Sequence, residues 1–291
     1  MLSRDTIKKI EKIHIHTRYL VNDIFAGEYE SAFKGRGMEF EEVREYSPGD
    51  EIRSIDWNVS ARMGRPFVKE YREERELTVM LLVDVSSSSL FGTVKNFKNE
   101  IAAELGAILA FAAIKSNDKV GLIIFTDTVE RYIPPQKGRN HVWRVIREVM
   151  GYEPRRKHTD ISAALDFLNR VLNRRAVCFL ISDFIAEGFE KALRITNKKH
   201  DIVALSISDP RERELPPIGF IELEDAETGE SILVDTADRS VREQFKALQE
   251  EKARKRENFF RSIGVDYLDM RTEGSLIDPL LRFFLVREKR R

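Results

Sequence analysis

LTVMLLVDVSSS, residues 77–88, runs through apolar positions without alternation and then breaks at once into short oxygen-bearing side chains. A strand with no polar face has to be covered on both sides, which is the condition of a parallel sheet held between helical layers. Working outward, the same kind of run recurs as KVGLIIF (119–125), AVCFLIS (176–182) and DIVALSI (201–207). Helical periodicity fills the gaps near 93–116, 139–150, 160–173 and 187–198. This alternation predicts a doubly wound α/β fold with a mostly parallel sheet. TVERYIPP follows KVGLIIF across a Thr126-Asp127 turn and reads as an antiparallel edge. Further on come a hairpin turning at Thr228-Gly229, a long charged helix over 238–262, the strand VDYLDM and a terminal helix from about Ser275.

Upstream the texture differs. Residues 4–26 place Ile7, Ile10, Ile13, Leu20, Val21 and Ile24 on one stripe of an amphipathic helix. Residues 27–76 are punctuated by Gly27, Gly35, Gly37, Gly49 and Gly64, with strand-like pieces MEFEEVREY and RPFVKEY between them. We therefore divide the chain into an amino-terminal helix with a small β-rich appendage, 1–76, and an α/β domain, 77–291. Within the appendage, Arg44, Asp50, Arg53, Asp56, Trp57 and Arg62 form a dense polar and aromatic group. Bidentate pairing of arginine with aspartate is expected to lock its loops, and Trp57 to anchor it against its neighbour.

In open α/β sheets ligands gather beyond the carboxyl ends of the strands, where the strand order reverses. Asp84, Ser86 and Ser88 follow the first buried strand at alternate positions, so three oxygens can turn into one cup. Asp183 follows another buried strand, and Thr159 opens the helix before it. Hydroxyl and carboxylate oxygens without nitrogen or sulfur are the donor set of a hard cation such as magnesium, which keeps several of its waters. Each of these residues could instead cap the helix that follows it.

On these residues the chain resembles the von Willebrand factor A family, whose metal-dependent adhesion site reads Asp-x-Ser-x-Ser on one loop, Thr on a second and Asp on a third. The resemblance implies that Asp84, Ser86, Ser88, Thr159 and Asp183 form one site for Mg2+, or for Mn2+ or Ca2+. It implies further that the hydroxyls touch the metal, that the carboxylates act largely through water, and that a protein partner supplies an acidic residue. Thr159 departs in being preceded by Lys157-His158 rather than by glycines. The segment GRGMEFEEVREYSPGDEIRSIDWNVSARMGRPFVKEYREER, residues 35–75, resembles the bacterial family catalogued as domain of unknown function 58. That resemblance implies an adaptor or assembly factor working beside a MoxR-type AAA ATPase. Relatives often carry two amino-terminal membrane spans; this sequence reads as a version without them.

Composition sets outer bounds. Lysine plus arginine and aspartate plus glutamate number 49 each, so no global field favours nucleic acid or an anionic membrane. The most apolar stretch, 105–114, is shorter than the roughly 20 residues a membrane span needs. With one cysteine, Cys178, buried in an apolar run, and no signal-peptide pattern, the expected location is the cytoplasm. His14 and His16 fall on different helical faces, and His141, His158 and His200 have no ligand spacing. No Walker loop, no Gly-x-Ser-x-Gly and no second aspartate of an Asp-x-Asp phosphatase is present, so a binding module is expected rather than an enzyme. The alternative is a metal-dependent hydrolase built on the same cluster. Arg155, Arg156 and Lys157 are the nearest thing to a basic patch, and residues 287–291 read as a solvated end.

Overall fold

The computed structural model describes residues 23–34, 39–72, 76–87, 97–224 and 229–290. Its elements are α1 (Asp23–Lys34), β1 (Glu39–Glu45), α2 (Trp57–Met63), β2 (Phe67–Arg72), β3 (Thr78–Asp84), α3 (Lys98–Lys115), β4 (Lys119–Phe125), β5 (Val129–Gln136), α4 (Arg139–Met150) and α5 (Ile161–Val171). There follow β6 (Val177–Ser182), α6 (Glu190–Lys199), β7 (Asp201–Ser208), α7 (Pro210–Arg213), β8 (Phe220–Glu224), β9 (Ser231–Asp235), α8 (Arg239–Ser262), β10 (Asp266–Arg271) and α9 (Ile277–Lys289).

The central sheet has the order β10-β7-β6-β3-β4-β5. Every pair is parallel except β4 with β5. That is the doubly wound α/β architecture expected from the uninterrupted apolar strands. The strand carrying Pro134 and Pro135 is the outermost, where a residue without an N–H leaves no ladder bond unmade. From β3 the chain steps one way to β4 and β5, then returns to the other side of β3 as β6, β7 and β10. The order thus reverses between β3 and β6, and this is where a crevice opens at the carboxyl ends of the strands.

The two faces are covered unequally. One is packed by α1, α3, α4 and α9, whose Tyr29, Leu105, Val145 and Phe284 are buried with Val79, Leu81 and Val203. The other is packed by α5, α6 and α8 through Leu165, Leu193 and Phe260 against Met80, Leu82 and Leu180. Helix α3 is apolar nearly all round, the mark of a helix buried between sheet and neighbours.

Helix α1 runs on to Lys34, past the Gly27 at which the sequence pattern breaks; most of the helix expected over 4–26 lies outside the described residues. Phe25, Tyr29 and Phe33 stack edge-on with Phe284 of α9, and the Tyr29 hydroxyl donates to Asp118 at 3.3 Å. This helix therefore belongs to the core of the sheet. The rest of the upstream segment is a β1–β2 antiparallel pair, with α2 beside it. Arg44 and Asp50 pair bidentately there at 2.7 and 2.8 Å, and those bonds, with one from the Ser47 N–H, hold the Asp50 carboxyl down at about 2. Asp56 caps α2 by accepting from the Asn58 and Val59 N–H groups. Trp57 is not an anchor: it is 67% exposed, at the start of a helix that buries no residue.

Among the described residues no helix is long and apolar enough to cross a membrane.

His200, ending α6, is fully buried, and neither ring nitrogen has a hydrogen-bond partner. Burial, aided by Lys199 and Arg175, lowers its pKa from the ordinary 6.5 to about 4. The unfolded chain therefore takes up a proton at this side chain that the folded chain refuses, and stability falls as pH drops from 6.5 toward 4. His200→Gln is expected to remove roughly 2 kcal/mol of this acid sensitivity. Urea unfolding of both proteins at pH 7.5 and 4.5 checks it; parallel losses in the two would refute the assignment.

Candidate functional site

Asp84 ends β3 and Asp183 directly follows its neighbour β6, on either side of the point where strand order reverses. Both are buried, Asp84 with only 4% exposed. Each carboxylate is already committed to the protein. Asp84 Oδ1 accepts the Ser86 N–H at 2.9 Å, Oδ2 accepts the Ser182 hydroxyl at 2.6 Å, and the Ser86 hydroxyl bonds to it as well. Asp183 Oδ1 accepts the Ile185 N–H at 3.2 Å, and Oδ2 accepts the Lys98 ammonium at 3.0 Å. Burial first, then the charge of Asp183, lifts the Asp84 carboxyl from 3.8 to about 6, in spite of its hydrogen bonds.

The loops converge through backbone bonds. After β3, the Val85 N–H donates to Phe125 O at 3.1 Å and the Ser87 N–H to Lys157 O at 3.0 Å. The Asp160 N–H, next to Thr159, donates to Thr126 O at 2.9 Å. Asp160 caps α5 through the Ala163 N–H at 3.1 Å, so Thr159 is the residue just outside that helix, half-buried beside the β3 loop. Ser86 is fully buried, whereas Ser88 lies outside the described residues. The structure thus brings Asp84, Ser86 and Asp183 to one crevice and ties the Thr159 loop to it.

Four residues that the sequence reading did not single out organise the crevice. Lys98, the first residue of α3, bonds both Asp183 and the Glu212 carboxylate of α7. Burial lowers its pKa, but the charges of Asp183 and Glu212 outweigh burial and raise it overall. Arg256 of α8 donates to the backbone oxygens of Asp183 at 3.0 Å and Phe184 at 3.4 Å, pinning a turn where Phe184 adopts φ 55°. Glu130 of β5 accepts from Thr126 Oγ1 at 2.7 Å, Tyr152 OH at 3.0 Å and the Arg155 and Arg156 N–H groups. Burial would raise its pKa, yet these donors prevail and lower it. The basic run 155–157 therefore owes its shape to an internal carboxylate. Only Lys98 left a trace in the sequence: it shares the helical stripe of Ala102, Leu105 and Leu109, all buried, so its burial was implied by spacing.

The donor chemistry fits a hard divalent cation. Two buried carboxylates, one of them raised to about 6 by burial first and by the charge of the other second, sit beside a buried hydroxyl, and negative charge held there is relieved by a bound cation. Among the described residues no group of three or more His, Cys, Asp or Glu side chains is placed to hold a metal, so such a site would depend on Ser86, Ser88 and Thr159 for direct contacts.

The uncharacterized protein Mb1516 of Mycobacterium bovis is 28% identical over 283 residues, covering 96% of this chain and 89% of its own length. The uncharacterized protein YeaD of Bacillus subtilis is 29% identical over 107 residues, covering 37% of this chain and 25% of its own. Among solved structures, the conserved hypothetical protein BatB of Bacteroides thetaiotaomicron aligns at 17% identity and TM-score 0.48, over 74% of this chain and all of that one. The SpRpn10 VWA domain aligns at 12% identity and TM-score 0.38, over 72% of this chain and 95% of that one. The model of the family described as protein of unknown function DUF58 matches residues 42–256, which take in most of the β1–β2 pair, both aspartates and most of α8, and the chain belongs to that family.

Proposed function

We propose that the chain is a divalent-metal-dependent protein-binding module. Ser86, Ser88 and Thr159 would hold Mg2+, or Mn2+ or Ca2+, by their hydroxyls, and the cation would offer an open position to a carboxylate of a protein partner. Asp84 and Asp183 would supply charge through water, since all four of their oxygens already accept protein hydrogen bonds. The observation that carries this reading is the pair of buried aspartates at the reversal of strand order, with Ser86 buried beside Asp84 and Asp84 held at about 6 by burial and by the charge of Asp183. The family resemblance points to a MoxR-type AAA ATPase as the partner, with this chain as its adaptor or assembly factor.

Affinity capture from the native host tests the proposal. The wild-type chain is expected to retain an AAA ATPase in magnesium and release it in EDTA, and the Asp84→Ala, Ser86→Ala double variant to retain none. Equal capture by the double variant would overturn the role of the site, and magnesium-dependent turnover of phosphoester or peptide substrates would favour a hydrolase.

A further inference from the structure

Lys98 is placed where elementary electrostatics disfavours it. It opens α3, whose aligned peptide dipoles present positive charge at that end. Its side chain is only 2% exposed, and an ammonium withdrawn from water is costly unless closely paired. Lys98 lines a small cavity together with Ala102, Ile181 and Ile207 on the apolar side and Asp84, Ser182 and Asp183 on the polar side. The ammonium bonds Asp183 Oδ2 at 3.0 Å on one side and Glu212 on the other. Two carboxylates, Asp183 and Glu212, thus share one ammonium, and a third, Asp84, lines the same cavity.

Glu212 leads away from the crevice. Its second oxygen accepts the Asp209 N–H at 2.9 Å, and Asp209 caps α7 and accepts the Thr272 hydroxyl at 3.0 Å. Lys98 therefore stands between Asp183 and a turn that joins the carboxyl ends of β7 and β10.

We propose that Lys98 is a built-in counter-ion that competes with the divalent cation for Asp183, and that Glu212 sets the strength of this competition by drawing the ammonium toward α7. The inference rests on the divalent-binding function proposed above. Without a divalent ion, Lys98 keeps Asp183 paired and the crevice assembled. With one bound, two cations share Asp183, and their repulsion moves the ammonium onto Glu212. Occupancy of the crevice is thereby passed to the Asp209–Thr272 junction, on the far side of Lys98.

Calorimetric titration of magnesium into the full chain, with thermal melts in magnesium and in EDTA, tests this on the wild type, Lys98→Met, Lys98→Arg and Glu212→Gln. Lys98→Met keeps the stem and removes the charge; it is expected to bind magnesium about tenfold more tightly and to gain more in Tm from magnesium than the wild type does. Glu212→Gln leaves the ammonium wholly on Asp183 and is expected to weaken magnesium binding. Lys98→Arg is expected to stay within about twofold of wild type. A purely structural ion pair would lower Tm equally with and without magnesium and leave the affinity unmoved, which would overturn the inference while the metal-binding function stands. Magnesium uptake absent from the wild type and from every variant would overturn both. If Lys98→Met does not fold, Glu212→Gln decides, since that side chain is 26% exposed: weaker binding supports the competition, and unchanged or tighter binding overturns it.

Discussion

Asp84→Asn is expected to make the metal-free protein more stable by about 3 kcal/mol at pH 7.5, while removing its response to magnesium. The folded carboxyl ionises at about 6 and the unfolded one near 3.8. Between those values the unfolded chain releases its proton first, so the wild type loses stability as pH rises through that window, and above it the whole penalty is in force. Roughly 2 units at 1.36 kcal/mol each give the figure. Asparagine never ionises, keeps an acceptor for the Ser86 N–H, and turns an amide toward a Ser182 hydroxyl that has a lone pair to spare. Chemical denaturation in EDTA at pH 3.5 and 7.5 checks the sign: the variant and wild type should nearly coincide at the lower pH and separate at the higher. A variant less stable than wild type at pH 7.5 would mean that Asp84 is held chiefly by its hydrogen bonds. The prediction also separates stability from function, because a residue that destabilises the fold in isolation is maintained for what it binds.

Arg287→Ala is expected to cost about 3–5 kcal/mol and to lower Tm by about 10 °C. The sequence reading took residues 287–291 as a solvated end; Lys289 and Arg290 are exposed and Arg291 lies outside the described residues, but Arg287 is not solvated. The Arg287 side chain is 11% exposed, pairs with Asp201 and, at 2.5 Å, with Asp266, and lies 4.5 Å over the Phe33 ring. It also donates to Ala32 O at 3.3 Å. Those two aspartates begin β7 and β10, adjacent strands, so removing the guanidinium strips Asp201 of this partner and leaves Asp266 with the exposed Arg290. Arg290 bonds Asp266 too, at 3.2 Å, but is 68% exposed, and Arg290→Ala is expected to cost under about 1 kcal/mol. Thermal melts of the two variants give the contrast directly. Similar small losses in both would show that α1 and α9 are held to the sheet by their aromatic contacts alone.

What could be read beforehand followed the period of the hydrophobic pattern. β3, β4, β6 and β7 were legible because strands buried on both faces admit few polar residues, α4 because Val142, Val145, Ile146 and Val149 form one stripe, and α8 because Asp238 caps a long charged run. The reversal of strand order could be inferred only as a class, since pairing is a relation between strands distant in sequence. The short helix α2 was missed because WNVSARM buries no residue and has no stripe to show. The placement of Asp84, Ser86 and Asp183 at one sheet edge was legible because carboxylates and hydroxyls directly after apolar strands fall where those strands end. Glu130, Arg256 and Glu212 were not, because a charged residue on a half-exposed element looks like a solvated one until its partner is known. Lys98 was recoverable: a lysine in phase with alanines and leucines on a buried stripe has to find a counter-charge.

Cys178 sits in the middle strand layer with none of its surface exposed, and burial pushes its thiol well above its ordinary pKa. A thiol of that kind does not react with an alkylating reagent while the sheet is closed. It is also the chain's sole cysteine, so each labelled molecule records one opening of the β3–β6–β7 layer. The protein therefore carries its own covalent clock, and the rate of labelling counts how often the molecule comes apart beneath the two aspartates.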